Sequence, residues 1–162
     1  MIIMEIEKKF LVKYLPGDLE QYPSHEIEQG YLCGNPVIRI RKRDDEYIFT
    51  YKSRLGIETV SGVCACNEEE LPLTKEGFYH LKEKTDGIWI RKTRYEIPYE
   101  GFIIELDIFH GEYDGLILAE VEFESISQGE NFIPPTWFGK NVSDDRRYSN
   151  RVLSERQIFF EK

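Results

Sequence analysis

Charge alternates with apolar side chains in the first strand-like stretch of the chain, and the same spacing returns four times further on. In Met4-Glu5-Ile6-Glu7-Lys8-Lys9-Phe10, the residues Glu5, Glu7 and Lys9 hold alternate positions, which share one face of a β-strand. Arg39/Arg41, Lys92/Arg94, Glu105/Asp107 and Glu120/Glu122 repeat the i,i+2 pattern, mostly with apolar neighbours of the opposite parity. Like charges so placed lie only ~7 Å apart, and burying them without a counter-charge carries a large desolvation and repulsion cost. One such pair, taken alone, reads as the watered face of a half-buried strand. Doubling like charge on five strands is costly unless something compensates it, and a bound cation or an opposing charged wall would do so.

Strand signals dominate the chain. Segments 2–12, 26–33, 36–43, 46–54, 60–70, 87–98, 101–109 and 116–125 are rich in Ile, Val, Tyr, Phe and Trp and are separated by Gly, Pro, Asn and Asp. Hairpin-length turns such as Cys33-Gly34-Asn35-Pro36 and Asp44-Asp45-Glu46 make the order antiparallel. One helix is expected from Thr74, as its N-cap, to Lys84, and a second from Ser143 or Asp144 through Tyr148 and Val152, ending before Ile158-Phe159-Phe160. A short helical turn fits Pro16 to Tyr22. The resulting expectation is a mainly β (α+β) chain: a closed eight-stranded antiparallel β-barrel with a few peripheral helices, in one domain over 1–162. Closure removes exposed sheet edges. If Ile38, Ile40 and their counterparts pack outward beneath the helices, the charged set lines the lumen, which then holds both signs of charge and suits a polyanion with a divalent metal.

Composition narrows the partners. A net charge of −9 disfavours nucleic acid and an anionic membrane. Three cysteines do not make a disulfide framework, no apolar run is long enough to span a bilayer and no signal pattern opens the chain, so a cytoplasmic location is expected. Cys64 and Cys66 lack clustered partners for a thiolate metal site, and His25, His80 and His110 show no metal-ligand spacing. No Gly-rich phosphate loop or Ser/His/Asp signature is present.

The motifs resemble the CYTH, or triphosphate tunnel metalloenzyme, family. Glu5-Ile6-Glu7-Lys8-Lys9 matches its E-x-E-x-K signature, which alone is short. Further matches follow in family order: Gln29-Gly30-Tyr31-Leu32, Arg39-Ile40-Arg41, Tyr51-Lys52, Lys92-Thr93-Arg94-Tyr95, Glu105-Leu106-Asp107, Gly115-Leu116 and then Ala119-Glu120-Val121-Glu122. Trp137-Phe138-Gly139-Lys140, leading to Arg147-Tyr148-Ser149-Asn150, completes them. The resemblance implies Mg²⁺ or Mn²⁺ as cofactor, held by Glu5, Glu7, Glu120 and Glu122 with Asp107 and Glu105 nearby; these are the hard oxygen donors such ions prefer. It implies a triphosphate held by Lys9, Arg39, Arg41, Lys52, Lys92 and Arg94, Arg through forked donors and Lys as a point charge. It also implies a catalytic set of Lys92, at the departing pyrophosphate, with Glu5 and Glu7 beside the attacking water.

One segment departs from the family pattern. In Cys66-Asn67-Glu68-Glu69-Glu70, aligned to an R-x-E-x-E run, Cys66 stands at the Arg position while Glu68 and Glu70 keep the acidic pair. The expected activity is metal-dependent hydrolysis of inorganic triphosphate to pyrophosphate and phosphate. Class IV adenylyl cyclase-like or thiamine/nucleoside triphosphatase activity, and a non-catalytic polyphosphate- or nucleotide-binding module, stand as alternatives. The expected partner is a small-molecule triphosphate, with no nucleic acid and no membrane; pairing of two chains as a homodimer is compatible with the sequence.

Overall fold

The computed structural model of the chain describes residues 3–57, 61–155 and 160. Nine strands form one antiparallel sheet: β1 (Ile3–Val12), β2 (Ser24–Gly34), β3 (Val37–Arg43), β4 (Glu46–Ser53), β5 (Cys64–Pro72), β6 (Asp86–Tyr99), β7 (Phe102–His110), β8 (Ile117–Phe123) and β9 (Phe138–Asn141). Their spatial order is β5-β4-β3-β2-β6-β7-β8-β1-β9, and β1 also pairs with β5, which closes the first eight into a barrel. The last strand, β9, pairs with β1 at Phe10 and Val12. Three helices flank the barrel: α1 (Lys75–Lys82), α2 (Ile126–Glu130) and α3 (Asn150–Glu155). Positions 2 and 60 of the expected strands, and Ile158 and Phe159 of the expected tail, lie outside the described residues.

The even positions of β1 and their counterparts face outward and carry the larger apolar core. Ile6, Phe10, Ile104, Leu106, Ala119, Val121 and Phe123 pack there beneath the segment that follows β8. Phe132 and Phe138 fill it, with ring centroids 5.3 Å from Phe123 and 4.7 Å from Phe10 respectively. On the other side α1, capped by the Thr74 hydroxyl accepting from the Gly77 N–H, drives the fully buried Phe78 against Tyr47 and Trp89.

The odd positions of β1 and their counterparts on the other strands face the lumen, and their character changes along its length. Glu5, Glu7 and Lys9 give way to Leu11; Glu122 and Glu120 to Leu118; Glu105 and Asp107 to Phe109; Arg94 and Lys92 to Ile90. Ile90, Phe109 and Leu118 meet Tyr113, Val142, Tyr148 and Leu153 in a second apolar core. A plug containing α3 therefore fills one end of the barrel interior, and the charged section lies beyond it.

Two local expectations are corrected. The second helix is not continuous: a 3-10 turn at Arg146–Tyr148 and α3 are separated by Ser149, whose backbone is extended. Asp145 caps the start of the turn by accepting from the Arg147 N–H at 3.1 Å, and the extended Ser149 ends it before α3 begins. The strand β9 and the helix α2 were not expected; four residues at Phe138–Asn141 carry too short a period to announce a strand.

Gly30 has a packing reason. On β2 a Cβ would come 2.1 Å from the Trp89 ring, and the Lys82 ammonium lies over that ring, 4.8 Å from the centroid. Gly30→Ala should therefore lower stability by about 1–3 kcal/mol through overpacking, measured by urea denaturation; unchanged stability would mean that Trp89 moves freely.

Candidate active site

Charge in the lumen is segregated by strand. The contiguous arc β4-β3-β2-β6 supplies Lys52, Arg39, Arg41, Lys92 and Arg94; the arc β7-β8-β1-β5 supplies Glu105, Asp107, Glu120, Glu122, Glu5, Glu7, Glu68 and Glu70. Lys9 is the cation within the acidic arc, 3.2 Å from Glu120 and donating to the Tyr148 carbonyl at 3.0 Å. The cavity between the arcs measures about 1260 Å³ and is lined by charged residues of both.

Ion pairs form where the arcs meet. At the β4/β5 seam Lys52 lies 2.8 Å from Glu5 and 3.1 Å from Glu68, while Arg39 donates to Thr50 at 3.2 Å and lies 3.8 Å from Glu70. Burial acts to raise the Glu5 carboxyl, but Lys52 and its neighbours pull it down to about 2. Burial and the hydrogen bond with Glu5 push Glu68 up to about 7. At the β6/β7 seam Asp107 accepts two bonds from Arg94, at 2.7 and 2.8 Å, and one from Lys92 at 2.6 Å. Arg94 also reaches Glu105 at 2.5 Å.

At the middle of each arc a charge is left over. Arg41 donates through Nε to the Gln29 Oε1 at 2.8 Å and makes no ion pair among the described residues. Burial, followed by the neighbouring Arg39 and Arg94 guanidiniums, pulls it down to about 9. Glu7, on β1, has no hydrogen bond or ion pair among the described residues; burial and then Glu120 and Glu5 hold its carboxyl well above the usual range. Glu7 faces Glu122 directly across the β1/β8 ladder, and burial and Glu5 raise Glu122 as well. One wall of the lumen thus lacks an anion and the other a cation. The unmet donors at Glu7 and Glu122 are hard oxygens, which fit Mg²⁺ or Mn²⁺. Among the described residues no three His, Cys, Asp or Glu side chains converge to hold an ion by themselves.

The sequence-derived residues divide by depth. Glu5, Glu7, Lys9, Arg39, Arg41, Lys52, Arg94, Glu105, Glu120 and Glu122 line the cavity. Lys92 and Asp107 do not; they are 0% and 1% exposed and sit behind it. Burial pulls Lys92 down to about 7 despite Asp107, and its ammonium also donates to Asn150 on α3 at 3.1 Å. Asp107 spends its carboxylate on two cations rather than on the cavity.

Cys66 faces the lumen, opposite Glu5 in the β1/β5 ladder, with its sulfur 3.8 Å from Glu5 Oε2. Burial and Glu5 push its thiol up to about 12, so no reactive thiolate forms there at neutral pH. Cys64 shares that face and donates to the Ser143 carbonyl at 3.0 Å. Sequence reasoning passed over Gln29, Thr50 and Asn150. The position of Gln29 on the lumen face follows from its ladder partner Arg41, but nothing local places Asn150 beneath Lys92.

No family model matches the chain. An inorganic triphosphatase of Nitrosomonas europaea is 38% identical over 156 residues, covering 93% of this chain and 96% of that protein. An inorganic triphosphatase of Acetivibrio thermocellus is 34% identical over 156 residues, covering 92% of each. The crystal structure of an inorganic triphosphatase superposes with a TM-score of 0.68 at 35% identity, covering 95% of this chain and 96% of that one. A putative adenylyl cyclase from Hippeastrum, at 16% identity and a TM-score of 0.54 over 78% of this chain and 82% of its own, shares the fold.

The β6/β7 seam sets an expected stability. Asp107→Asn leaves Lys92 and Arg94 buried without their shared counter-charge and should cost about 3–5 kcal/mol near neutral pH. Arg94 and Lys92 hold the Asp107 carboxyl below its ordinary value against the opposing effect of burial. Its contribution is therefore present above the unfolded carboxylate range and lost as pH falls through the folded value. Denaturant titrations of both proteins from pH 7 downward should keep their gap to about pH 4, narrow below it and meet only below the folded Asp107 value; a constant gap would show that the carboxylate charge is not what stabilises the seam.

Proposed function

This chain belongs to the CYTH family of triphosphatases, and we propose that its tunnel hydrolyses inorganic triphosphate to pyrophosphate and phosphate with Mg²⁺ or Mn²⁺ as cofactor. The observation that carries the reading is the pair of unmet charges across one cavity, Arg41 on the basic arc and Glu7 on the acidic one. A triphosphate with a divalent ion supplies both missing charges at once. The identity to inorganic triphosphatases over nearly the whole chain supports the same substrate.

In this reading Arg39 and Arg41 take phosphate oxygens through forked donors, Arg94, whose fork is held by Asp107 and Glu105, backs them at the wall, and Lys52 and Lys9 add point charge. Lys52 stays protonated, because Glu5 outweighs the burial that opposes its charge and raises it above the ordinary lysine value; it acts by neutralising charge rather than by giving a proton. Lys92 has a lysine acidity suited to proton transfer, yet its ammonium is turned to Asp107 and Asn150. Its assigned part is to hold Asp107, which in turn orients Arg94. Glu7, with Glu5 and Glu122 beside it, would hold the divalent ion, which when bound neutralises phosphate oxygens and orients the group transferred. Cys66 leaves the position next to Glu5 without an arginine fork, so that among the described residues Lys52 is the cation paired with Glu5.

Phosphate release from triphosphate, pyrophosphate, ATP and thiamine triphosphate, each with Mg²⁺, Mn²⁺ or chelator, tests the proposal. Turnover of triphosphate above the others, abolished by chelator, is expected; full activity in chelator would overturn the metal requirement, and binding without turnover would leave a polyphosphate-binding module. Arg41→Ala should weaken triphosphate affinity at least about tenfold while the fold persists.

A metal-free measurement checks the acidic wall independently. The folded Glu7 carboxyl is raised, so its contribution to stability is complete below the unfolded value near 4.3 and is lost as pH rises through the folded one. Glu7→Gln removes that loss and should raise Tm in chelator by about 2–4 °C or more at pH 8, with the difference shrinking toward pH 4. A lower Tm for Glu7→Gln at pH 8 would mean that the carboxylate is already compensated.

A further inference from the structure

Gln29 is a neutral, fully buried side chain placed against the central cation of the basic arc. It faces Arg41 across the β2/β3 ladder, and its Oε1 accepts from Arg41 Nε at 2.8 Å. Its Nε2 donates to the Tyr31 hydroxyl at 3.2 Å, from a residue two positions on along β2. The two bonds set the amide orientation, because a guanidinium can only donate and so the amide oxygen must face it. With Nε engaged, the two Nη groups of Arg41 make no hydrogen bond to any described residue, and Arg41 lines the cavity. That leaves the forked end for a bidentate oxyanion contact.

The chemistry of position 29 matters as much as its geometry. A glutamate could accept the same Nε hydrogen bond, but its charge would cancel that of Arg41, as Glu5 does for Lys52 and Asp107 for Arg94 at the seams. The amide holds the guanidinium in place and leaves its charge unspent. We propose that Gln29 is a positioning residue that aims Arg41 at a phosphate of the substrate while keeping it uncompensated; this rests on the triphosphate reading above.

The test is steady-state hydrolysis of inorganic triphosphate by the full chain with Mg²⁺, comparing wild type, Gln29→Glu, Gln29→Met, Arg41→Met and the double variant Gln29→Met/Arg41→Met. A merely structural amide would make Gln29→Glu, which retains the acceptor, the milder change. The proposal reverses the order: KM should rise at least about tenfold in Gln29→Glu and about threefold in Gln29→Met, with kcat changed much less. In the Arg41→Met background Gln29→Met should add no further rise in KM, since it acts through that residue. If Gln29→Glu does not fold, as judged by far-UV circular dichroism, the Gln29→Met cycle decides alone. Gln29→Glu behaving like wild type, or independent effects of Gln29→Met and Arg41→Met, would overturn the proposal. A wild-type protein that does not turn over triphosphate would instead remove the functional reading on which it stands.

Discussion

Asp107 is the carboxylate on which the charged interior depends. It sits between Arg94 and Lys92 at the β6/β7 seam, receiving three hydrogen bonds from them. Without it two buried cations would face one another in a desolvated space, where repulsion and lost hydration add. The same lysine extends the network to Asn150 on α3, and Lys9 ties β1 to the Tyr148 carbonyl just before that helix. The plug is thus held by polar contacts to the lumen as well as by the apolar contacts of Tyr148 and Leu153.

Segregating charge by strand solves one problem and leaves another. Apart from Lys9 and Glu120 within the acidic arc, opposite charges meet where the arcs adjoin, so Lys52, Arg39 and Arg94 find carboxylates there. Arg41 and Glu7, one from each arc, do not. A ligand carrying both signs would relieve them together. Gln29 and Cys66 belong to the same economy of charge: each is a neutral side chain beside a charged one, and neither cancels its neighbour.

A barrel with ions inside needs its apolar core elsewhere. The outward faces of β1, β7 and β8 pack under Phe132, Phe138 and the short helix α2, while β3 and β4 are covered by α1. Ser125 caps α2 by accepting from the Gln128 N–H, and β9 joins the end of β1. These small elements matter because the larger share of the apolar burial lies between them and the barrel wall, the rest at the plugged end of the interior.

Sequence alone determined the strand pattern and the face on which each charged residue lies. Period-two alternation is a local property of an extended chain, so Glu5, Glu7, Arg39, Arg41, Glu120 and Glu122 were assigned to one face without knowledge of any partner. The inward position of Cys66 was legible for the same reason, from its spacing to Glu68 and Glu70. Depth and pairing were not. Lys92 and Arg94 are equivalent by parity, yet one lies behind the cavity with Asp107 and the other lines it. Asn150 and Gln29 acquire their partners only when distant segments meet, and the break at Ser149 sits within what read as one helix. Tertiary structure decided these points because closing the sheet sets which strands adjoin and how far each is staggered, and those two quantities determine which charges are compensated and which remain for a ligand.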